Sequence, residues 1–222
     1  MDAFADLLCE LVEEAGIKRA EMFSGKNRSD LPGFYRPTKN WDWIIVADRQ
    51  LLALLELKSQ VGPSFGNNFN NRVEEALGNA ADLWKAYSEG TFGATPRPWA
   101  GFLMLLEECP GSVCPVKVEE PHFPVRPEFR HSSYLQKVSP AGVSYAKRYE
   151  LFCRKIVRDR LYDAACLLLS DRTNGIDGGY SEPAADLTFK GFIASLVGKA
   201  SAHAKLKNLS GGNEKGSHRN QK

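Results

Sequence analysis

Apolar residues in the first quarter of the chain recur at helical spacing and then in two short runs. Residues 3–15 place apolar side chains three or four positions apart, with glutamates on the other side, which predicts an amphipathic helix. The runs WDWIIVAD (residues 41–48) and LLALLELK (residues 51–58) are apolar, short and separated by a polar corner. They predict the two strands of a β-hairpin that is covered on both faces.

Turn-forming residues separate these elements from their neighbours. The passage GKNRSDLPGFYRPTKN (residues 25–40) contains prolines and glycines that exclude a long helix, and it predicts loops around one short strand. The passage VGPSFGNNFNN (residues 61–71) predicts a loop, because asparagine and glycine tolerate the backbone angles of turns. A helix is predicted to begin near Asn71 and to end at Gly90.

The remaining apolar runs alternate between strand and helix patterns. Strands are predicted over WAGFLMLLEE (residues 99–108) and AACLLLS (residues 164–170), and helices over residues 143–160 and Leu187 to His203. This order of elements predicts an α/β fold with a mixed central β-sheet flanked by helices. We expect a single domain over residues 1–206 and a disordered polar tail over residues 207–222.

Composition and charge exclude few classes of protein. A 222-residue chain with 43% hydrophobic residues can bury one core, and its net charge of +2 is too mild to indicate a class of partner. Five widely spaced cysteines fit a reduced intracellular protein better than a disulfide framework, so we expect a cytoplasmic location. No apolar run reaches membrane-spanning length, and no membrane partner is expected.

The second strand of the predicted hairpin changes character along one face. Strand alternation puts Leu52, Leu54, Glu56 and Lys58 on the same side, so that side passes from apolar to charged. A carboxylate and an ammonium at the end of a core strand are costly unless they meet water, each other or a metal ion. The simplest interpretation is a strand end that reaches solvent, since the Glu-x-Lys tripeptide is common.

Asp42 favours a functional interpretation, because it opens the preceding strand at the same end of the hairpin. With a two-residue turn at Arg49 and Gln50, Asp42 would lie opposite Leu57 and face away from Glu56. With a three-residue turn or an equivalent bulge, Asp42 lies opposite Glu56 and the polar side chains converge. We therefore predict an odd turn or a bulge in this hairpin.

Two carboxylates and a lysine in this arrangement suit the hydrolysis of a phosphodiester. Asp42 and Glu56, with the main-chain carbonyl of Leu57, would hold Mg²⁺ with several waters retained, because this ion prefers hard oxygen ligands. Lys58 would orient the attacking water or help deprotonate it, and would steady the developing charge. The predicted catalytic residues are thus Asp42, Glu56 and Lys58.

The spacing W-D-(x13)-E-L-K resembles the active-site pattern of the PD-(D/E)XK nuclease superfamily, with Trp41 where that pattern has proline. Longer strings are more specific, namely LPGFYRPTKNWD from residue 31, ELKSQVGPSFGNNFNNRVEEALG from residue 56 and PHFPVRPEF from residue 121. They resemble the XhoI-type restriction endonucleases, and the similarity extends to about residue 200.

The resemblance implies a type II restriction endonuclease with the restriction-endonuclease-like fold. It implies a homodimer that cuts the palindrome CTCGAG in double-stranded DNA with Mg²⁺, leaving 5′-phosphates on four-base 5′ overhangs. It also implies a DNA methyltransferase as the partner that protects the host. Members of the family carry a longer stretch before the equivalent of Met1, so the resemblance implies a chain shortened at its start.

Two polar segments are candidates for contacting DNA. The first directly follows the catalytic strand and can pair asparagine with adenine and arginine with guanine; it comprises Asn67, Asn68, Asn70, Asn71 and Arg72. Turn formation and helix capping explain the same asparagines equally well. The second segment carries cations suited to phosphates, namely Arg126, Arg130, His131 and Lys137, although a solvated loop is the simpler interpretation of each.

Three other interpretations of the sequence compete with this one. A zinc site is disfavoured, because the C-x4-C pair of Cys109 and Cys114 lacks a second ligand pair at the usual spacing. The same fold and metal would also serve a repair, mobile-element or junction nuclease with little sequence preference. A DNA-binding or interaction module would carry the two acids incidentally, and replacing Lys58 would then change no activity.

Overall fold

A computed structural model of the chain describes residues 2–25, 28–120, 122–130 and 142–216. Its helices are α1 (Asp2–Glu14), α2 (Phe65–Ser88), α3 (Pro110–Val113), α4 (Tyr145–Arg158) and α5 (Phe189–Gly216), with short 3-10 helices at Arg19–Glu21, Pro127–Phe129 and Asn174–Asp177. Its strands are β1 (Met22–Ser24), β2 (Asp30–Pro32), β3 (Thr38–Asn40), β4 (Trp43–Ala47), β5 (Gln50–Gln60), β6 (Trp99–Glu107) and β7 (Ala164–Ser170).

Five strands form one mixed sheet in the order β1-β4-β5-β6-β7, and helices flank it. Strand β4 runs antiparallel to both of its neighbours, β1 and β5. The strands β2 and β3 form a separate antiparallel hairpin in which Leu31 lies opposite Lys39. The predicted α/β class with a mixed central sheet is confirmed, and so are both strands of the predicted central hairpin.

The chain divides into two compact units. The first comprises the residues up to Glu56, the segment Asp82–Gly101 and the segment from Phe192 onward. Its core includes Trp43, which is fully buried and whose indole Nε1 lies 3.4 Å from the Cys9 thiol that accepts its hydrogen bond. Satisfying the indole N–H allows so large a ring to be buried without a polar penalty.

The second unit comprises Leu57–Ala81 and Phe102–Gly191. The ring of Phe102 is fully buried and meets Phe152 and Tyr162 edge to face, with centroids 5.7 Å and 5.6 Å away. The phenol of Tyr162 donates to a main-chain carbonyl at 3.2 Å. Aromatic packing of this kind fixes the positions of the elements within the unit.

The prediction of a loop up to residue 71 is wrong in its second half, because α2 begins at Phe65. Phe65 and Phe69 lie one helical turn apart, and their rings pack against Tyr145 and Tyr149, with centroids 6.0 Å and 4.9 Å away. Burying this aromatic pair outweighs the turn preference of the glycine and asparagines around it.

Two other boundaries differ from the expectation. The passage at residues 25–40 contains two short strands, β2 and β3, instead of one. The helix α5 continues to Gly216, past the expected domain boundary at residue 206, and residues 217–222 lie outside the described part of the chain. The division into a domain and a tail stays a prediction. Within the described residues, no helix is both long and apolar enough to cross a membrane.

The five cysteines are free thiols that differ in exposure. Cys114 is exposed and Cys109 half-buried, whereas burial raises the pKa of the Cys166 thiol to about 12 and raises that of Cys153 as well. Because the thiolate is the reactive form, we expect an alkylating reagent at pH 8 to modify Cys114 first and the buried thiols only in denaturant. Mass spectrometry of digested protein measures this order, and equal labelling of Cys153 and Cys114 in folded protein would contradict it.

Asp82 on α2 holds the loop between β2 and β3. Its Oδ1 accepts hydrogen bonds from the main-chain N–H groups of Phe34 at 2.8 Å and Tyr35 at 2.7 Å, and its Oδ2 accepts from Nε of Arg36 at 2.7 Å. Burial acts to raise the pKa of this carboxyl, but the three donors outweigh it and the pKa lies below its ordinary value.

We expect Asp82→Ala to lower the free energy of unfolding by about 2–4 kcal/mol, because the donors lose a buried acceptor. Since the pKa is depressed in the folded state, this stabilisation is complete above the unfolded pKa of about 3.9 and disappears as the pH falls through the folded value. Urea unfolding at pH 7 and pH 3 measures it, with the exposed Asp6→Ala as the control. A difference between wild type and variant that does not shrink in acid would contradict the expectation.

Candidate active site

The hairpin of β4 and β5 contains a β-bulge. Ala47 lies opposite Gln50, which leaves a two-residue turn, and Ile45 lies opposite Ala53. The register therefore shifts by one residue between Ile45 and Val46, and Leu52 is the extra residue on β5. The turn residues Asp48 and Arg49 both have positive φ, 50° and 63°, as the tight turns of β-hairpins require.

The bulge sets which residues meet at the open end of the hairpin. Beyond it, Trp43 lies opposite Leu55. Asp42 is a bend residue just before β4, and the same register continued by one residue would place it opposite Glu56. Directly opposed residues of an antiparallel pair point to the same face, so this register predicts both carboxylates on one side of the sheet. The prediction of an odd turn or bulge is confirmed, since the register that starts at the turn would place Asp42 opposite Leu55 if it did not shift.

Lys58 and Leu57 follow Glu56 on the same strand. Alternation along β5 puts the half-buried Lys58 on the face of Glu56, and it turns the buried Leu57 side chain to the other face. Strand geometry thus gives Glu56 and Lys58 a common direction. The assignment of Asp42, Glu56 and Lys58 to catalysis, and of Leu57 to the metal, stays a prediction.

A second lysine, Lys39 on β3, contacts this group, and sequence reasoning missed it. Its Nζ lies 2.9 Å from Oε1 of Glu56, and the two side chains are 17% and 0% exposed. The same ammonium lies 4.9 Å from the centre of the Trp41 ring and donates to the carbonyl of Asn40 at 2.6 Å. A buried carboxylate is stable only when its charge is balanced, and Lys39 contributes to that balance.

The family of the chain follows from comparison with known proteins. The family model of the restriction endonuclease XhoI matches residues 1–182. The chain belongs to this family. The active-site pattern that runs from Trp41 to Lys58 lies inside the matched region.

Three XhoI-family relatives show how far the similarity extends. The type II restriction enzyme BstVI of Geobacillus stearothermophilus is 50% identical over 93% of this chain and 89% of its own length. AbrI of Azospirillum brasilense is 49% identical over 65% of this chain and 65% of its own. XhoI of Xanthomonas vasicola is 45% identical over 71% of this chain and 59% of its own. No solved structure matches the chain.

The asparagine segment of this XhoI-family chain lies in the first turns of α2, not in the predicted loop. Helical spacing puts Asn67, Asn70 and Asn71 on one face of α2, and all three side chains are exposed. Asn68 and Arg72 are half-buried on a neighbouring face, and Arg72 Nη1 contacts Oε2 of a glutamate on the same helix at 2.7 Å. A contact of these residues with DNA stays a prediction.

The basic segment is balanced by carboxylates where the structure describes it. Arg126 Nε contacts Glu128 Oε1 at 2.8 Å, and Arg130 Nη2 contacts Glu120 Oε1 at 2.9 Å. Arg126 therefore presents less net positive charge to a phosphate than the count of cations in the sequence suggests. The predicted contacts at His131 and Lys137 lie outside the described residues.

Among the described residues, no group of three or more His, Cys, Asp and Glu side chains is placed to hold one metal ion. A cation at this site would therefore have two carboxylates, those of Asp42 and Glu56, and would complete its shell with a main-chain carbonyl and water. Such an incomplete protein shell suits Mg²⁺, which retains several waters, better than a structural zinc ion.

Proposed function

We propose that the chain is a type II restriction endonuclease that hydrolyses phosphodiester bonds of double-stranded DNA in a Mg²⁺-dependent reaction. The observation that carries the proposal is the bulged register of the hairpin, which, continued one residue beyond β4, would set Asp42 opposite Glu56 with Lys58 two residues farther along β5. Membership of the XhoI family and the names of the three relatives support the same activity.

The donor set fits a hard divalent cation. Glu56 is fully buried and already has a cationic group, the Lys39 ammonium, at 2.9 Å from Oε1. The protein therefore places positive charge against this carboxylate, as a metal ion would. Asp42 and Glu56 would hold Mg²⁺ together with the carbonyl of Leu57, and the bound ion would supply Lewis-acid activation of water and of the phosphate.

The protein groups have distinct roles in the proposed reaction. The ammonium of Lys58 donates a hydrogen bond that orients the attacking water in line with the leaving oxygen, and it stabilises charge that develops on the phosphate. The carboxylates of Asp42 and Glu56 provide the negative charge of the site before the substrate binds. Lys39 places positive charge beside Glu56, and its half-buried stem keeps the ammonium in place.

Recognition of DNA is assigned to the exposed face of α2. An α-helix fits the major groove, where asparagine pairs with the edge of adenine and arginine with that of guanine. Asn67, Asn70 and Asn71 would read bases from this face, with Asn68 and Arg72 beside them. Arg126, Arg130 and Lys137 are the proposed phosphate contacts.

The proposed site is the palindrome CTCGAG, cut to leave four-base 5′ overhangs with 5′-phosphates. A homodimer is proposed because a two-fold symmetric site presents the same scissile bond once on each strand, and each copy of the chain supplies one active centre. The cell would need a DNA methyltransferase that protects the same sequence. The proposed location is the cytoplasm, where the DNA of a bacterial cell lies.

Digestion of two plasmids that differ by one base pair tests the proposal. We expect a plasmid with one CTCGAG to be linearised with a four-base 5′ overhang, and the plasmid with the altered site to stay circular. Sequencing of the ends reads the position of the cut. Smearing or nicking of both plasmids would contradict a restriction activity and would favour a repair or junction nuclease.

A further inference from the structure

The tip of the β2–β3 hairpin carries two exposed aromatic side chains. Phe34 is 46% exposed and Tyr35 is 72% exposed, and their rings meet edge to face with centroids 4.9 Å apart. Large aromatic side chains that stay in water on a folded protein are characteristic of contact surfaces, where they bury much area for little loss of side-chain entropy.

The loop that presents this pair is held rigidly. Asp82 accepts hydrogen bonds from the main chain of both aromatic residues and from the guanidinium of Arg36. A Cβ on Gly33 would lie 2.4 Å from Oδ2 of Asp82 and 2.8 Å from the Arg36 carbonyl, so only glycine allows the carboxylate this close. The buried carboxylate of Asp82 thus holds the loop that carries the two exposed rings. A loop that is already ordered loses less conformational entropy when it binds a ligand.

The same hairpin leads directly to the candidate active site. Lys39 on β3 contacts Glu56 at 2.9 Å, and it is three residues from Arg36 at the base of the loop. Three residues of extended chain span about 10 Å. The major groove of DNA is about 12 Å wide, so a duplex whose scissile phosphate lies at Glu56 would meet the loop beside the cut.

The charge around the rings suits a nucleic acid. The Lys85 ammonium lies 5.0 Å from the centre of the Phe34 ring and also pairs with Glu89, and Arg36 flanks the rings on the chain. The nearest carboxylate, Asp82, is 5% exposed and is satisfied by its donors. Aromatic rings beside cationic side chains suit duplex DNA, whose sugars and base edges offer apolar surface and whose phosphates carry negative charge.

We propose that Phe34 and Tyr35 form a rigid aromatic contact with duplex DNA next to the scissile phosphate. The proposal rests on the nuclease function proposed above and adds a substrate-contacting element to it. The rings pack against sugars and base edges within the groove, and Tyr35, the more exposed, makes the larger contact. Their role is to position the duplex, so the chemistry at Asp42, Glu56 and Lys58 is left intact.

Binding of a fluorescent duplex that contains CTCGAG tests the proposal. The parent protein is the full chain with Lys58→Ala, which prevents cleavage, and fluorescence anisotropy measures Kd. Adding Phe34→Ala and Tyr35→Ala together should raise Kd about 10-fold or more, because two large aromatic surfaces are then no longer removed from water on binding. Tyr35→Phe should bind nearly as well as the parent. The matched control is Phe123→Ala, which removes an aromatic ring that is 84% exposed and should leave Kd unchanged.

Each other outcome overturns the proposal in a recognisable way. An unchanged Kd in the doubly substituted protein, with the parent binding normally, removes the aromatic contact but leaves the nuclease function standing. A weaker Kd accompanied by dissociation of the dimer in sedimentation assigns the rings to an interface between copies. Failure of the parent to bind the duplex, with no cleavage by wild type, overturns the nuclease function and the aromatic contact together. Equal urea midpoints for all variants exclude unfolding as the cause.

Discussion

Replacement of Lys58 by alanine is expected to reduce the rate of DNA cleavage by about a hundredfold to a thousandfold while the affinity for DNA stays close to that of wild type. Removing one preorganised electrostatic group at a site where charge develops typically costs two to three orders of magnitude, about 3–4 kcal/mol of transition-state stabilisation. Strand alternation puts the half-buried Lys58 on the face of Glu56. Its loss would remove the group that is proposed to orient the water.

Single-turnover cleavage of a one-site plasmid and anisotropy of a labelled duplex separate the two effects of Lys58→Ala. The control is Lys117→Ala, which removes an equal charge from a lysine whose side chain is 65% exposed and should change neither quantity. A Lys58→Ala protein that cuts at the wild-type rate would exclude Lys58 from the catalytic site.

The second large effect is expected for Glu56→Gln, which should abolish cleavage and also the stabilisation of the protein by Mg²⁺. A ligand that binds only the folded state stabilises it by RT ln(1 + [L]/Kd), which is about 1–3 kcal/mol at tens to hundreds of Kd. The neutral amide is a poor ligand for Mg²⁺, so this gain should vanish. The apo variant should also be less stable, because Lys39 loses its charged partner at 2.9 Å.

Urea unfolding with and without Mg²⁺ measures the gain within each protein, so the lower stability of the variant does not affect the comparison. Glu119→Gln is the matched control, since that side chain is 74% exposed and lies in a surface ion pair. An equal gain in wild type and Glu56→Gln would place the metal ion elsewhere.

The register of the central hairpin could be predicted from sequence because chemistry and periodicity restrict it together. A strand has a period of two, so Asp42 faces Glu56 only when the hairpin contains an odd shift. The position of that shift could not be predicted. The turn has two residues, at Asp48 and Arg49, and the extra residue is Leu52, which is buried like its apolar neighbours and leaves no mark in the pattern.

Contacts between segments that are distant in the chain could not be predicted from the sequence. Lys39 lies in a turn-rich passage, and only the β2–β3 hairpin brings it to Glu56. Asp82 likewise looks like an ordinary polar position of a helix, although its carboxylate fixes a loop more than 40 residues earlier in the chain. A single signal for Lys39 was available, namely its position three residues before Asp42 in the string TKNWD.

The turn preference of asparagine and glycine was outweighed at the start of α2, where burial of aromatic side chains favours a helix. The run GNNFNN has the composition of a turn, yet Phe65 and Phe69 pack on α4 and draw it into α2. The sequence shows the cations of the basic segment, but it does not show that they pair with Glu120 and Glu128 in the folded chain. The sequence therefore locates the charged residues better than it predicts which ion pairs they form in the fold.

Cleavage of a CTCGAG plasmid after exhaustive chelation, with Mg²⁺ then returned to one half of the sample, tests the central claim most directly. The chemistry proposed for Asp42, Glu56 and Lys58 predicts no linear product in the chelated half and full linearisation once Mg²⁺ is returned. Linearisation of the chelated half at an undiminished rate would contradict it, because the three side chains would then cut DNA without a cation between them.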